Sequence, residues 1–211
     1  MRNVIPIRAR PRLDRPPGYE DDLSFAPELV EAFIAEYTKP GDVVFDPFAG
    51  FGTTLVIAER LGRRPLGLEI MPERVEFIRS QLSDPTAIQQ ADVRDIDWLD
   101  LPRIDFSMTS PPYMTRADHP QNPLSGYETL DGDYSTYLRG LTTIYQRLAD
   151  RLTPGGRVVI NAANLRAHNT RLAWDIGSAI GDVLTYEREI VVDWDEPQPW
   201  FTNDYCLVFR G

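Results

Sequence analysis

Val43-Val44-Phe45-Asp46-Pro47-Phe48-Ala49-Gly50-Phe51-Gly52-Thr53-Thr54-Leu55-Val56-Ile57-Ala58 is the stretch that decides the fold. A short branched apolar run halts at an acid, a glycine-bearing turn follows, and an apolar helical pattern starts at once. That is a strand, a tight turn and a helix in immediate succession. Gly50 and Gly52 let the backbone turn, and let a ligand approach it, without a Cβ in the way. The helix N-terminus behind them favours a negative group such as a carboxylate or phosphate. The spacing is not G-x-G-x-x-G, and no Lys follows Gly52 as it would in a phosphate-cradling Walker loop.

Outward from this unit the same alternation repeats. Upstream, Ser24 is placed to cap a helix carrying Phe25, Leu29, Phe33, Ile34 and Tyr37, and Lys39-Pro40-Gly41-Asp42 stops it. Downstream, Pro65–Leu68 reads as strand two with Glu69 at its end. A helix from Met71 to Leu82 follows, then a weaker strand three at Ala87–Ala91 ending at Asp92. Ile104–Thr109 is strand four, a helix runs from Tyr134 to Leu152, and Arg157–Asn161 is strand five after Pro154-Gly155-Gly156. Leu172–Leu184 is a last helix, and Glu189–Trp194 with Tyr205–Phe209 are closing strands. Strands alternating with helices imply an α/β, doubly wound, mostly parallel sheet covered on both faces, and ligands bind such sheets beyond the carboxyl ends of the strands. Asp46, Glu69, Asp92 and Ser110 all fall at those ends.

Strand four runs into Thr109-Ser110-Pro111-Pro112-Tyr113. Two prolines fix two φ angles, remove two N–H donors and bias Ser110 toward an extended conformation. The product is a stiff rim with free carbonyls, a hydroxyl before it and an aromatic ring after it, suited to a flat hydrogen-bonding group. Residues 114–133 are too polar and broken for regular structure, and a connection of that length is usually functional or disordered.

At 211 residues the chain holds one sizeable domain. The division expected is an Arg/Pro-rich arm over 1–24 and a single domain over 25–211. Residues 1–20 carry five arginines against Asp14 and Glu20, a net of +3, so from a total of −10 the remainder carries −13. Such an acidic body argues against non-specific coating of nucleic acid. A basic arm or rim can still meet phosphate, because exposed charges are screened beyond about 8 Å. No apolar run is long enough to span a membrane, the N-terminus has no signal-peptide core, and the lone Cys206 excludes an internal disulfide, so a cytoplasmic home is expected. His119 and His168 do not make a metal site; no metal is expected.

The strand-end acids describe a nucleoside-containing cofactor: Glu69 is placed to accept from ribose hydroxyls, and Asp92 from an adenine amine. The two motifs, Asp46–Thr54 with Thr109–Tyr113, resemble the S-adenosylmethionine-dependent amino-methyltransferases that act on exocyclic nitrogens of bases, the N4-cytosine and N6-adenine DNA methyltransferases with related RNA enzymes. The resemblance runs over about residues 25–210, and Phe25-Ala26-Pro27-Glu28-Leu29 more loosely resembles the family segment that closes over the methionine part of the cofactor. It implies a class I, Rossmann-like sheet of seven strands with the last one antiparallel. It implies that Phe25, Asp46, Phe48, Ala49, Gly50, Gly52, Thr53 and Thr54 surround the methionine end, Glu69 the ribose, and Asp92 with Val93 the adenine, with Ile70 also binding the cofactor. Ser110, Pro111, Pro112 and Tyr113 are then catalytic, the Ser110 hydroxyl and Pro111 carbonyl accepting amino hydrogens while Tyr113 stacks on the base. Arg116 and His119 are candidates for substrate contact, and Trp200 with Phe201 either forms a second stacking surface or packs on the sheet edge.

In that family Ser at the first rim position leans toward cytosine N4 and Asp toward adenine N6. The expected activity is therefore methyl transfer to cytosine N4 in DNA. RNA, adenine N6, a smaller base-containing substrate and a non-catalytic scaffold role are the rivals. No segment has the length of a target-recognition domain, so sequence reading falls to the 114–133 loop, the arm or a partner subunit.

Overall fold

A computed structural model describes residues 3–8, 13, 26–117, 120–130, 132–196 and 198–211. Among them the alternation resolves into eight strands, β1 (Val4–Ile7), β2 (Val43–Asp46), β3 (Arg64–Glu69), β4 (Ile88–Gln90), β5 (Ile104–Thr109), β6 (Leu152–Leu165), β7 (Thr185–Trp194) and β8 (Phe201–Arg210). The helices are α1 (Pro27–Tyr37), α2 (Thr53–Arg60), α3 (Pro72–Gln81), α4 (Tyr134–Ala149) and α5 (Leu172–Gly181). They form one sheet in the order β1-β7-β8-β6-β5-β2-β3-β4. All pairings are parallel except those of β8, which is antiparallel to both β6 and β7.

Both sheet faces are covered, as near-continuous apolar strands require. One face packs α4 and α5 through Tyr137, Leu141, Ile144, Leu172 and Ile176. The other packs α1 through Leu29, Val30, Phe33 and Ile34 against Val44, Phe106, Met108 and Val159. Ala49, Leu55, Val75 and Ile78 close a third cluster where α2 and α3 meet β4. This is the class I methyltransferase architecture, and it puts the C-terminal ends of β2, β3, β5 and β6 along one crevice.

Three expectations change. The sheet has eight strands rather than seven, because Val4–Ile7, inside the expected arm, pairs in parallel with β7. An edge strand tolerates Pro6, which has no N–H to give to a further neighbour. Helix α1 starts at Pro27 with Ala26 as its cap residue and no side-chain cap, so the expected Ser24 cap, itself outside the described residues, lies too far upstream. The 114–133 connection, expected to lack regular structure, carries a short piece of it: Pro123–Ser125 forms a 3₁₀ turn capped by Asn122 Oδ1 accepting from Leu124 N at 3.0 Å, and Met114, Asn122, Leu124 and Ser125 are buried. No helix of the described residues is long and apolar enough to cross a membrane.

Candidate active site

A crevice of about 650 Å³ opens along the C-terminal strand ends, within the range of small-molecule sites. Its first half is built by the glycine turn. Gly50 and Gly52 take φ of +57° and +80°, values that favour glycine. Gly50 N donates to Glu69 Oε2 at 2.8 Å and Met71 N donates to Oε1 at 2.9 Å, so the carboxylate ending β3 is clamped from both sides. Burial raises its pKa, while the Met71 N–H, Arg74 and the Gly50 N–H pull the other way. A carboxylate holding one N–H on each oxygen keeps lone pairs for two more donors.

Asp46, buried at the end of β2, accepts from Phe48 N at 3.0 Å through Oδ1. Burial pushes its pKa up to about 6 against the hydroxyls of Thr109 and Thr54, and Glu69 adds to the rise. Asp92 lines the crevice but also caps the 3₁₀ stretch Val93–Trp98 and pairs with Arg94, NH2 to Oδ2 at 2.5 Å. Its carboxylate is thus partly occupied by its own chain.

The proline rim forms the other half. Tyr137, fully buried in α4, donates from its hydroxyl to the Pro112 carbonyl at 2.9 Å and so pins the rim to the core. The Ser110 hydroxyl donates to the Tyr113 hydroxyl at 3.4 Å, a long bond. Ser110 Oγ, with its proton directed there, faces anything else as an acceptor. The Tyr113 ring is half-buried and tilts against Trp200 at 6.4 Å between centroids, and burial raises its pKa.

The structure gathers Asp46, Phe48, Ala49, Gly50, Thr53, Glu69, Ile70, Asp92, Val93 and Ser110–Tyr113 around this one crevice. Gly52 stands behind it, where a Cβ would come within 2.9 Å of Ile78 Cγ1. Thr54 lies beneath it, its hydroxyl donating to the Met108 carbonyl at 3.3 Å. Arg116 sits apart from it: its guanidinium pairs with Asp175 at 2.8 Å and its backbone N–H donates to Thr170 Oγ1, which staples the start of the long loop to α5. Phe25 and His119 lie outside the described residues. Trp200 lines the crevice and packs edge-to-face on Phe201 at 4.5 Å, so it serves both wall and packing. Cys206 is buried in the sheet, with its thiol pKa pushed well up by burial. Among the described residues no cluster of potential metal ligands occurs.

Sequence reasoning missed Asn161, Trp194 and Asp204, which also line the crevice. Asp204 is 4% exposed and accepts from Asn161 Nδ2 at 2.8 Å and Trp194 Nε1 at 3.0 Å. Burial pushes its pKa up to about 6.

Residues 20–80 match the model of the N6/N4 methyltransferase family, described as DNA methylase. Over 54 residues the chain is 46% identical to the type II methyltransferase M2.DpnII of Streptococcus pneumoniae, a match covering 26% of this chain and 20% of that protein. Over 59 residues it is 41% identical to the type II methyltransferase M.Cfr9I of Citrobacter freundii, covering 28% and 20%. The match thus spans about a fifth of the length of these relatives. Among solved structures, TrmN of Thermus thermophilus superposes with a TM-score of 0.61 at 19% identity over 90% of this chain and 50% of that one. A methyltransferase of Streptococcus mutans, solved in complex with SAH, superposes with 0.59 at 12% identity over 90% of this chain and all of that one.

Proposed function

We propose, from the premise that residues 20–80 make this chain a relative of the N6/N4 DNA methylases, that it transfers a methyl group from S-adenosylmethionine to an exocyclic amino nitrogen of a nucleic-acid base, cytosine N4 in DNA by preference. The observation that carries the reading is the pairing of two half-sites in one crevice, a buried anionic turn at Asp46 and Glu69 and an acceptor rim at Ser110-Pro111.

The donor set fits this cofactor. Asp46 is a buried carboxylate that accepts from the Phe48 N–H, with the Thr54 and Thr109 hydroxyls near it and, among the described residues, no cation paired with it, which suits a ligand carrying positive charge. Glu69 retains acceptor capacity for a pair of hydroxyls, with Ile70 beside it. Asp92, although shared with Arg94, and Val93 would flank the adenine. S-adenosylmethionine supplies an electrophilic methyl group on a sulfonium.

The chain's own work is positioning. An exocyclic amine has its lone pair delocalised into the ring and is a poor nucleophile. Hydrogen bonds from its two hydrogens to Ser110 Oγ and the Pro111 carbonyl favour a pyramidal nitrogen and aim the lone pair at the methyl group. Tyr137 takes one lone pair of the Pro112 carbonyl and fixes that oxygen toward α4, which supports the Pro111 carbonyl for this task. Tyr113 and Trp200 provide aromatic surface for the base, and stacking of about 1–3 kcal/mol per base offsets much of the few kcal/mol needed to extrude it. Orientation supplies most of the rate. Serine at the first rim position favours cytosine.

Incubation with labelled S-adenosylmethionine and separate DNA and RNA pools, followed by nucleoside mass spectrometry, tests the reading. N4-methylcytosine in DNA is the expected product. N6-methyladenine, label in RNA only, or turnover on free nucleosides alone reassigns the substrate, and absence of transfer to any of them refutes the activity.

A further inference from the structure

Side chains alternate between the two faces of a sheet, and Val44, Met108, Val159, Cys206 and Val192 on five neighbouring strands all lie in the apolar cluster under α1. Two residues further toward the crevice, the same face carries Asp46 on β2, Ser110 after β5, Asn161 on β6, Asp204 on the antiparallel β8 and Trp194 on β7. All five line the crevice. The row is staggered rather than in register, since Asn161 pairs directly with Cys206 and Asp204 with Val192; its second member, Ser110, the residue assigned above to the target nitrogen, stands beside Asn161 because Thr109 pairs with Ile160. Asp46 flanks Ser110 on the cofactor side. Asn161, held by Asp204 and Trp194, flanks it on the other.

The orientation of the Asn161 amide follows from its neighbours. Nδ2 donates to Asp204 Oδ1 at 2.8 Å and to the Tyr205 carbonyl at 3.1 Å. The Tyr205 carbonyl accepts only, as does Asp204 when ionised, so the NH₂ faces them and Oδ1 is turned away from them. Among the described residues none donates to Oδ1. Asp204 is itself fixed from the far side by the Trp194 indole N–H. A buried carboxylate held by two neutral donors costs desolvation energy that a neutral residue would avoid, which a role in holding Asn161 would explain.

We propose that Asn161 contacts the substrate through Oδ1, accepting a hydrogen from the edge that docks beside Ser110, and that Asp204 and Trp194 are positioning residues that hold its carboxamide. The proposal rests on the methyl-transfer reading above. Ser110 Oγ, the Pro111 carbonyl and Asn161 Oδ1 then form a wall of acceptors. A base with an amino group at the docking position satisfies it. A base with a carbonyl there sets acceptor against acceptor and leaves buried groups unpaired, the situation in which polar sites discriminate most sharply. Asn161 thereby separates cytosine and adenine from their keto counterparts.

The test uses the full-length protein, mixed-sequence DNA as methyl acceptor, and a competitor pool with uracil in place of cytosine and hypoxanthine in place of adenine. Asn161→Ala should lower kcat/KM by about 10–100-fold, the loss expected from one hydrogen bond to a buried group, with cofactor affinity by calorimetry within about threefold of wild type. It should also erase the preference of the site for the amino pool over the keto competitor. Asp204→Asn, which keeps the shape, should lower kcat while a thermal melt stays near that of wild type. Unchanged kcat/KM in Asn161→Ala, unchanged discrimination, or equal loss of cofactor affinity overturns the inference while leaving the methyl-transfer reading intact. A wild-type protein that transfers methyl to no substrate overturns both. If Asn161→Ala fails to fold, Asp204→Asn and Trp194→Phe decide, because discrimination preserved in both contradicts their positioning role.

Discussion

Asp46 carries a prediction that can be worked from its surroundings. Burial raises its pKa from 3.8 to about 6, so between those values the folded protein holds a proton that the unfolded chain releases. The raised value means that this group's stabilising contribution is full below pH 3.8 and is lost as pH rises through 6. Integrated for one site, the loss between pH 5 and pH 8 is on the order of 1–2 kcal/mol, about half of the whole shift. Burial raises the Asp204 pKa to about 6 as well, so the wild-type slope alone does not isolate Asp46. The difference between Asp46→Asn and wild type does. Urea denaturation of both proteins at pH 5, 6, 7 and 8 should show Asp46→Asn gaining on the order of 1–2 kcal/mol on wild type across that range, with equal m-values. Cofactor binding should show the mirror image. Below pH 6 the proton on Asp46 removes the negative charge that suits a cationic ligand, so wild-type affinity should fall toward that of Asp46→Asn. A stability difference that stays constant within about 0.3 kcal/mol from pH 5 to 8, against the linkage expected for a shifted group, refutes the argument that burial governs this carboxylate.

Three further perturbations separate the roles assigned here. Ser110→Ala should abolish most turnover while calorimetry finds cofactor affinity near wild type; equal loss of both contradicts the division between turn and rim. Gly52→Ala forces φ near +80° on a residue with a Cβ and drives that atom to 2.9 Å from Ile78 Cγ1. Backbone strain of about 1–2 kcal/mol with overpacking of about 1–3 kcal/mol should show as a loss of about 2–5 kcal/mol in denaturant unfolding. Tyr137→Phe removes the hydrogen bond to the Pro112 carbonyl and should cost about 1 kcal/mol of stability, with a larger proportional fall in kcat than in cofactor affinity.

The cofactor half was legible because its determinants are local. Asp46, Gly50 and Gly52 stand within one strand–turn–helix, and Glu69 and Asp92 each follow a short apolar run, so strand ends could be recognised one at a time. The rim was legible for the same reason, as two prolines after Thr109 announce where β5 stops. Asn161 and Asp204 were not. They are 43 positions apart, and their contact depends on β8 inserting antiparallel between β6 and β7, a register no local pattern encodes. In the sequence Asn161 reads only as the end of an apolar strand. Its one available signal was a position matching that of Ser110 on the neighbouring strand, visible only once Thr109 is known to pair with Ile160. Strand β1 escaped because four residues containing a proline resemble a tail, and only the open edge of β7 gives them a partner.

That small edge strand has a directional consequence. A strand added to β7 could run either way, and an antiparallel one would leave the following residues at the back of the sheet. Because β1 is parallel, Ile7 finishes beside Trp194, and the Ile7 carbonyl accepts from Asp195 N at 3.0 Å. Exposed Arg8 comes next, at the end of the sheet where the crevice opens. The polarity of one four-residue pairing thus decides at which end of the sheet Arg8 emerges, beside the exposed carboxylates of Asp193 and Asp195.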